Sequence, residues 1–150
     1  MSDELTIEAG RLDEVVVELQ HLGDAASNRL TAAITTEALL FEAAVIETKL
    51  SGQVLNQRSG LLVSSIFSQV VEDGSSVMGI VGANTPYARI HEYGGVIEPK
   101  NALALRFQIN GQWVTVKRVV MPERSYLRST LAERADGIRA ALTQAVAGVA

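Results

Sequence analysis

The chain has no cysteine among its 150 residues. It therefore forms no disulfides and offers no thiolate ligand to a metal, which fits a reducing compartment. The N-terminus Met1-Ser2-Asp3-Glu4 carries two acids and no base, and no apolar run follows it, so it does not read as a signal peptide. The densest apolar region, residues 38–46, is interrupted by Glu42 and is too short to cross a bilayer. The sequence thus predicts no membrane partner.

The usual signatures of catalysis are also missing. His21 and His91 are the two histidines, and neither has a second histidine three or four residues away, as a helical zinc motif requires. No Gly-x-Ser-x-Gly turn is present to expose a serine nucleophile, and the glycines do not follow the spacing of a phosphate-binding loop. We therefore expect a protein that is not an enzyme and that has no catalytic residue, cofactor or metal.

Charge is distributed unevenly along the chain. Residues 1–57 contain ten acids and three bases, whereas residues 86–128 contain seven bases and three acids. A chain with one acidic and one basic region can bind copies of itself head to tail, and it can also contact a polyanion. Two solvated faces of opposite charge are the alternative that requires no partner.

The length favours a single domain spanning residues 1–150. Residues 5–9 alternate and predict a short strand. The next apolar residues have helical spacing and predict a first helix closed by Gly23. Asp24 is a candidate N-cap for a long helix that runs to about Leu50. Its broad apolar surface favours cover on more than one side, by its own sheet and by a neighbouring subunit, and is equally typical of the central core helix of a monomer.

Two hairpins are predicted after this helix. The first joins residues 67–72 to 77–81, and the second joins residues 103–109 to 113–119 around Asn110-Gly111, the strongest short hairpin signal in the chain. Together they predict a four-stranded, mainly antiparallel sheet, followed by a last helix. The fold class is therefore α+β, with N-terminal helices that include one long helix, this sheet and a C-terminal helix.

Between the hairpins lies the stretch Pro86-Tyr87-Ala88-Arg89-Ile90-His91-Glu92-Tyr93-Gly94-Gly95. We interpret it as a structural corner. Gly94 and Gly95 would permit a backbone that residues with a Cβ resist. The two tyrosines would anchor the corner to the sheet and the long helix. Arg58 and Arg124 are the candidates to pair with Glu92, within or between subunits.

Three blocks of sequence resemble the signatures of one family of tailed-phage proteins. They are Asn56-Gln57-Arg58-Ser59-Gly60-Leu61 with Ser64-Ser65-Ile66, the stretch from Pro86 to Gly95, and Pro122-Glu123-Arg124-Ser125-Tyr126-Leu127-Arg128. Their order and spacing are similar to those of the head–tail connector, neck or tail-completion family, also described as virion morphogenesis or minor tail proteins. The chain departs from the pattern at Ser125, where the family usually has proline, and residues 1–23 match only loosely.

The resemblance implies a small α+β subunit without a catalytic site that assembles as a homo-oligomeric ring, often a hexamer. Its other implied partners are a neighbouring connector or portal-side protein and the tail terminator or tail tube protein. Genomic DNA would pass through the channel without sequence-specific binding. The expected location is the neck or tail of the virion, after assembly in the host cytoplasm.

Two alternatives remain open at this level. One is a tail terminator that caps the tail tube. The other, from a different class, is a nucleic-acid-binding module whose neighbouring strands carry bases and aromatics: Arg106, Phe107, Trp113, Lys117 and Arg118. The residues predicted to matter for structure or interfaces are Arg58, Gly60, Tyr87, Glu92, Tyr93, Gly94, Gly95, Pro122, Arg124 and Tyr126.

Overall fold

The structure is a computed structural model that describes residues 5–8, 14–20, 23–52, 60–74 and 76–147, the first two ranges by their backbone alone. It confirms the α+β class, with a long helix near the N-terminus, antiparallel strand pairs and a C-terminal helix. The strands are β1 (Leu5–Glu8), β2 (Glu14–Gln20), β3 (Ile66–Asp73), β4 (Ser76–Ala83), β5 (Gly95–Ile97), β6 (Leu105–Ile109), β7 (Gln112–Val116) and β8 (Val119–Met121). The helices are α1 (Asp24–Val45), α2 (Leu61–Ser65), α3 (Ala88–Tyr93) and α4 (Leu127–Ala147).

A four-stranded antiparallel sheet has the strand order β1-β2-β4-β3. The short strand predicted near residue 5 is confirmed, as is the first hairpin, now β3–β4. The first helix, predicted from the spacing of Leu12, Val15, Val16, Leu19 and Leu22, is wrong because residues 14–20 form β2 and pair with β4 along their whole length. Three successive valines are stiff at χ1 and favour a strand, and this preference outweighs the helical spacing.

The second hairpin is not part of that sheet. β6 and β7 pair only with each other, while β8 pairs with β5, so each pair is a separate two-stranded sheet. The prediction of one sheet built from two hairpins is therefore corrected. The hairpin turn itself is as predicted, because Asn110 and Gly111 both have positive φ, at 49° and 81°.

The long helix ends at Leu50, as predicted, after a π-helical turn at Ile46–Leu50. Its N-cap is Gly23 rather than Asp24, which is the first helical residue. The apolar face of α1 packs against β3, β4 and α4, and this layer is the core. Two ion pairs join the long helix to α4 beside that core: Arg134–Glu37 binds α1 itself, and Lys49–Glu133 binds its π-helical turn.

Candidate functional site

The carboxylate of Glu92 is the centre of a buried polar cluster where α3 meets the start of α4. Glu92 is 1% exposed. Its Oε1 accepts hydrogen bonds from the Ser125 hydroxyl at 2.8 Å and from the Arg128 amide at 3.0 Å. Its Oε2 accepts from the amides of Tyr126 and Leu127 at 2.8 and 2.9 Å. One side chain therefore binds three consecutive backbone amides.

These amides belong to the first turn of α4, where the helix has no carbonyl partners of its own to offer them. The positive end of the helix dipole also favours a negative charge at this place. Glu92 thus caps α4 from a distance of about 35 residues along the chain, as its bond to Leu127 shows. The contact fixes α3 to the N-terminus of α4.

The pKa of Glu92 lies below its ordinary value. Burial by itself raises this pKa, but the hydrogen bonds from Arg128, Leu127, Ser125 and Tyr126 together outweigh burial. The side chain is therefore a carboxylate at neutral pH, and its oxygens are occupied by donors. A buried carboxylate in this state is suited to holding two segments together and is not placed to accept a proton from a substrate.

Arg128 neutralises the cluster from the solvent side. Its Nε donates to Glu92 Oε1 at 3.1 Å, and its Nη2 donates both to the Glu92 backbone carbonyl and to Glu123 Oε1. The guanidinium carbon lies 4.4 Å from the centroid of the Tyr93 ring, a cation–π distance. The partner of Glu92 is thus Arg128 and not Arg124, whose amide instead donates to the His91 carbonyl at 2.9 Å.

Gly94 ends α3 in a conformation reserved for glycine. It has φ +67° and ψ −173°. A Cβ here would lie 2.6 Å from the Glu123 amide nitrogen and 2.9 Å from the Met121 carbonyl oxygen. Gly95 has φ +145°, so both glycines have the positive φ that the sequence predicts. The tight crossing of residues 94 and 121–123 brings Glu92 within reach of α4.

The tyrosines of this region have different roles from those predicted. Tyr87 is 59% exposed, so the prediction that it anchors the corner is wrong. Tyr93 is half-buried beneath the guanidinium of Arg128. The buried anchor is Tyr126, whose hydroxyl donates to the Ala88 carbonyl at 3.4 Å. The corner is also a short helix rather than an irregular turn.

Among the described residues, the other predicted site residues do not bind the Glu92 carboxylate. Arg58 is outside the described residues. Gly60 starts α2 with φ +70°, and its carbonyl accepts from the Ser64 amide. Pro122 and Arg124 are exposed on the segment that crosses Gly94. The structure therefore brings the second and third sequence blocks together at Glu92.

Sequence reasoning missed two residues of the cluster, Ser125 and Arg128. Ser125 stands where the resemblance leads one to expect proline, and its hydroxyl both donates to Glu92 and accepts from the Ser129 amide at 3.2 Å. Its polarity just before an apolar helical stripe is a capping signal that could have identified it. Arg128 could have been found from its position in the first turn, where a base needs a nearby acid to offset the helix dipole.

His91 gives the cluster a second titrating group. Its Nδ1 is buried and has no hydrogen-bond partner among the described residues. Burial, and then the positive charge of Arg124, lower the pKa of His91 below its ordinary value of 6.5. The imidazole is therefore neutral in the folded protein at neutral pH.

We expect the free energy of unfolding to fall in two steps on acidification. A lowered folded pKa means that the unfolded state binds protons more readily, so stability is complete above the ordinary pKa and is lost below it. The first step should begin below pH 6.5, from His91, and the second below pH 4.5, from Glu92. Urea unfolding across this range measures both steps, and His91→Gln should abolish only the first. An unchanged first step in that variant would contradict the assignment.

Two surfaces outside the cluster are apolar and open. The first is the β6–β7 hairpin, which makes no more than marginal contact with any other described element. Leu105 lies opposite Val116 and Phe107 opposite Val114, so these four side chains share one face with Ile109. Ile109 is exposed at 40%, whereas the other four are half-buried. On the other face, the Arg106 guanidinium lies 4.6 Å from the centroid of the Trp113 ring, which is 60% exposed.

The second open surface is a face of α1. Leu39 and Leu40 are exposed there, at 57% and 46%. Between Arg29 and Glu47 every exposed residue of the helix is uncharged, namely Ala32, Thr35, Thr36, Leu39, Leu40 and Ala43. Exposed apolar area of this kind marks a contact surface more often than a solvated one.

Among the described residues, no three histidine, aspartate or glutamate side chains come together in a way that could hold a metal ion. Neither long helix that the structure describes is apolar over a length that could cross a membrane.

One comparison with known proteins gives a match. A family model described as the phage virion morphogenesis family matches residues 42–149. The matched region includes α2, α3 and α4, and with them the Glu92 cluster and the β6–β7 hairpin. No curated protein and no solved structure matches the chain.

Proposed function

Because the chain belongs to the phage virion morphogenesis family, we propose that it is a ring-forming neck or tail-completion subunit that joins the tail to the head. Family membership makes it a phage structural or assembly protein. Beyond that, we propose that the protein forms a ring, that the ring lies at the head–tail junction, and that its function requires no catalysis. In that position its neighbours are a portal-side connector protein and the terminator or tube protein of the tail, and genomic DNA passes through its channel.

The observation that carries the proposal is the apolar surface that a single copy leaves open. The hairpin and the exposed face of α1 lie at separate places on the subunit, and both carry large apolar side chains, with Leu103 beside the hairpin 98% exposed. A protein that functions alone rarely retains two such surfaces. A subunit in a closed ring has two different contact faces, because each copy meets one neighbour on either side.

The rigid cluster at Glu92 suits the same function. A buried carboxylate that binds three amides and one guanidinium fixes the direction of α4 relative to the segment that leads to the hairpin. Subunits of a ring must all present their contact faces at the same angle, since small differences accumulate around the ring. We therefore assign Glu92, Gly94 and Arg128 a positioning function in assembly.

A nucleic-acid-binding module is the second candidate, and one observation favours it. Arg106 and Trp113 stack on the exposed face of the hairpin, and Lys117 and Arg118 follow in the sequence. Bases and an exposed aromatic ring in this arrangement can contact phosphates and stack on a nucleobase. A tail terminator is a third reading, which shares the ring and differs in the protein that it caps.

Light scattering combined with a DNA gel-shift assay tests the proposal. We expect the purified protein to form a discrete closed oligomer and to show no salt-dependent binding to DNA. A monomer that binds DNA, with an affinity that falls steeply as salt rises, would contradict the proposal and support the nucleic-acid-binding module. Binding of the oligomer to a purified tail tube protein, without binding to a portal-side protein, would favour the terminator.

A further inference from the structure

The two open apolar surfaces are matched in size. The uncharged face of α1 extends over the eleven positions that separate Ala32 from Ala43, which corresponds to about 16 Å of helix. Each strand of the β6–β7 hairpin has five residues and spans about 17 Å. The two faces can therefore cover each other along their full length, as a helix covers one face of a two-stranded sheet.

Within one copy, the described elements that carry these faces make no close contact with each other. The close contacts of α1 are with β3, β4, α4 and its own π-helical turn, while β6 and β7 pack closely only on each other. An isolated two-stranded hairpin is marginally stable in water. No described element of the same copy packs closely on the apolar side of this hairpin or on the uncharged face of α1, so both faces are available to another molecule.

Charge favours a second copy of this chain as the covering molecule. Residues 99–122, which contain the hairpin, carry four bases and no acid. Residues 1–57, which contain α1, carry ten acids and three bases. Opposite charges of this size attract one copy to the next and oppose contact between two equivalent faces.

We propose that the apolar face of the β6–β7 hairpin of one subunit packs on the uncharged face of α1 of the next subunit. Leu105, Phe107 and Ile109 of the hairpin then lie against Leu39 and Leu40 of the neighbour. The contact joins two different surfaces, so the same contact can repeat from each copy to the next, as the proposed ring requires. This inference rests on the proposed ring and specifies which surfaces form it.

Cysteine crosslinking tests the contact, because the chain has no cysteine to interfere. Thr36→Cys lies on the exposed face of α1, and Gln112→Cys lies on the hairpin opposite Ile109. The double variant, treated with a short bis-maleimide, should give a ladder of covalent oligomers up to the full ring. The matched control pairs Gln112→Cys with Asp136→Cys, a fully exposed position on α4, and should give no ladder.

A charge placed on α1 gives an independent measurement. At a dilution at which the native protein is monomeric, Leu39→Lys should leave the melting temperature unchanged, since Leu39 is exposed. It should weaken subunit association by about tenfold or more. Val120→Lys is the control, because Val120 is similarly exposed at 65% but lies on neither face.

Different results would contradict the proposed ring and the proposed contact within it. A native protein that remains monomeric at all concentrations would contradict the ring itself. A native ring that gives no ladder, or that Leu39→Lys does not weaken, would overturn the contact and leave the ring standing. A ladder that stops at the dimer would also overturn it, because the surfaces would then join two copies reciprocally.

Discussion

Replacement of Glu92 by glutamine is expected to lower the free energy of unfolding by about 3 kcal/mol. The glutamine side chain has nearly the same shape, but an NH2 group replaces one of the two carboxylate oxygens. This group can only donate a hydrogen bond, whereas the oxygen that it replaces accepts. Either Oε1 would lose Ser125 and Arg128, or Oε2 would lose the amides of Tyr126 and Leu127. In the second case the NH2 group would face the backbone amides of the first turn of α4, which are also hydrogen-bond donors. In both cases Arg128 would lose the negative charge with which it pairs.

Thermal unfolding followed by circular dichroism measures this loss, which should correspond to a decrease in melting temperature of about 10 °C for a chain of this size. Glu98→Gln is the matched control, because it makes the same chemical change at an exposed carboxylate and should alter stability by less than about 0.5 kcal/mol. Equal melting temperatures for the two variants would show that the Glu92 cluster does not stabilise the fold.

The importance of Glu92 could be predicted from the sequence, but its partner could not. Two glycines and two tyrosines next to a lone Glu92 indicate a constrained corner, and the positive φ of Gly94 follows from local chemistry. The hydrogen bonds to residues 125–128 depend instead on which segment crosses that corner. Arg124 and Arg128 are four residues apart and equally basic, so only the three-dimensional path of the chain distinguishes them.

Contacts between segments that are distant in the sequence also explain which parts of the fold were predicted wrongly. Local signals predicted the β3–β4 turn, the Asn110-Gly111 turn and the end of the long helix, because each depends on a few adjacent residues. The pairing of β2 with β4 joins residues about 60 positions apart, as Val17 and Gly79 illustrate. Apolar residues at positions 15, 16 and 19 fit either a helix or a strand, and only that distant pairing decides between them.

The separation of the β6–β7 hairpin from the main sheet has a functional consequence. A strand pair that joined the sheet would bury its apolar face inside the subunit. As a separate pair it keeps that face available, at the cost of a hairpin that is only marginally stable by itself. In the proposed ring, the next subunit would supply the missing cover, which links the correction in sheet topology to the proposed contact between subunits.

Replacement of Gly94 by alanine is expected to have a still larger effect, a loss of about 4 kcal/mol. Two costs combine at this position. The backbone with φ +67° and ψ −173° is one that residues with a Cβ strongly resist. The added Cβ would also press on the Glu123 amide nitrogen from 2.6 Å, and backbone atoms cannot move aside as a flexible side chain can. The shift would separate α3 from α4 and weaken the bonds to Glu92.

Gly74→Ala separates these two costs. Gly74 also has positive φ, at +57°, but a Cβ there would have no atom within 4 Å. It should therefore lose only about 1 kcal/mol, the cost of a left-handed backbone alone. Urea unfolding of both variants measures the difference, which should be about 3 kcal/mol if the crossing of residues 94 and 121–123 is rigid. Similar losses of unfolding free energy in the two variants would mean that the backbone at this crossing moves to accommodate a methyl group. Gly94 would then not fix the geometry on which the Glu92 cluster depends.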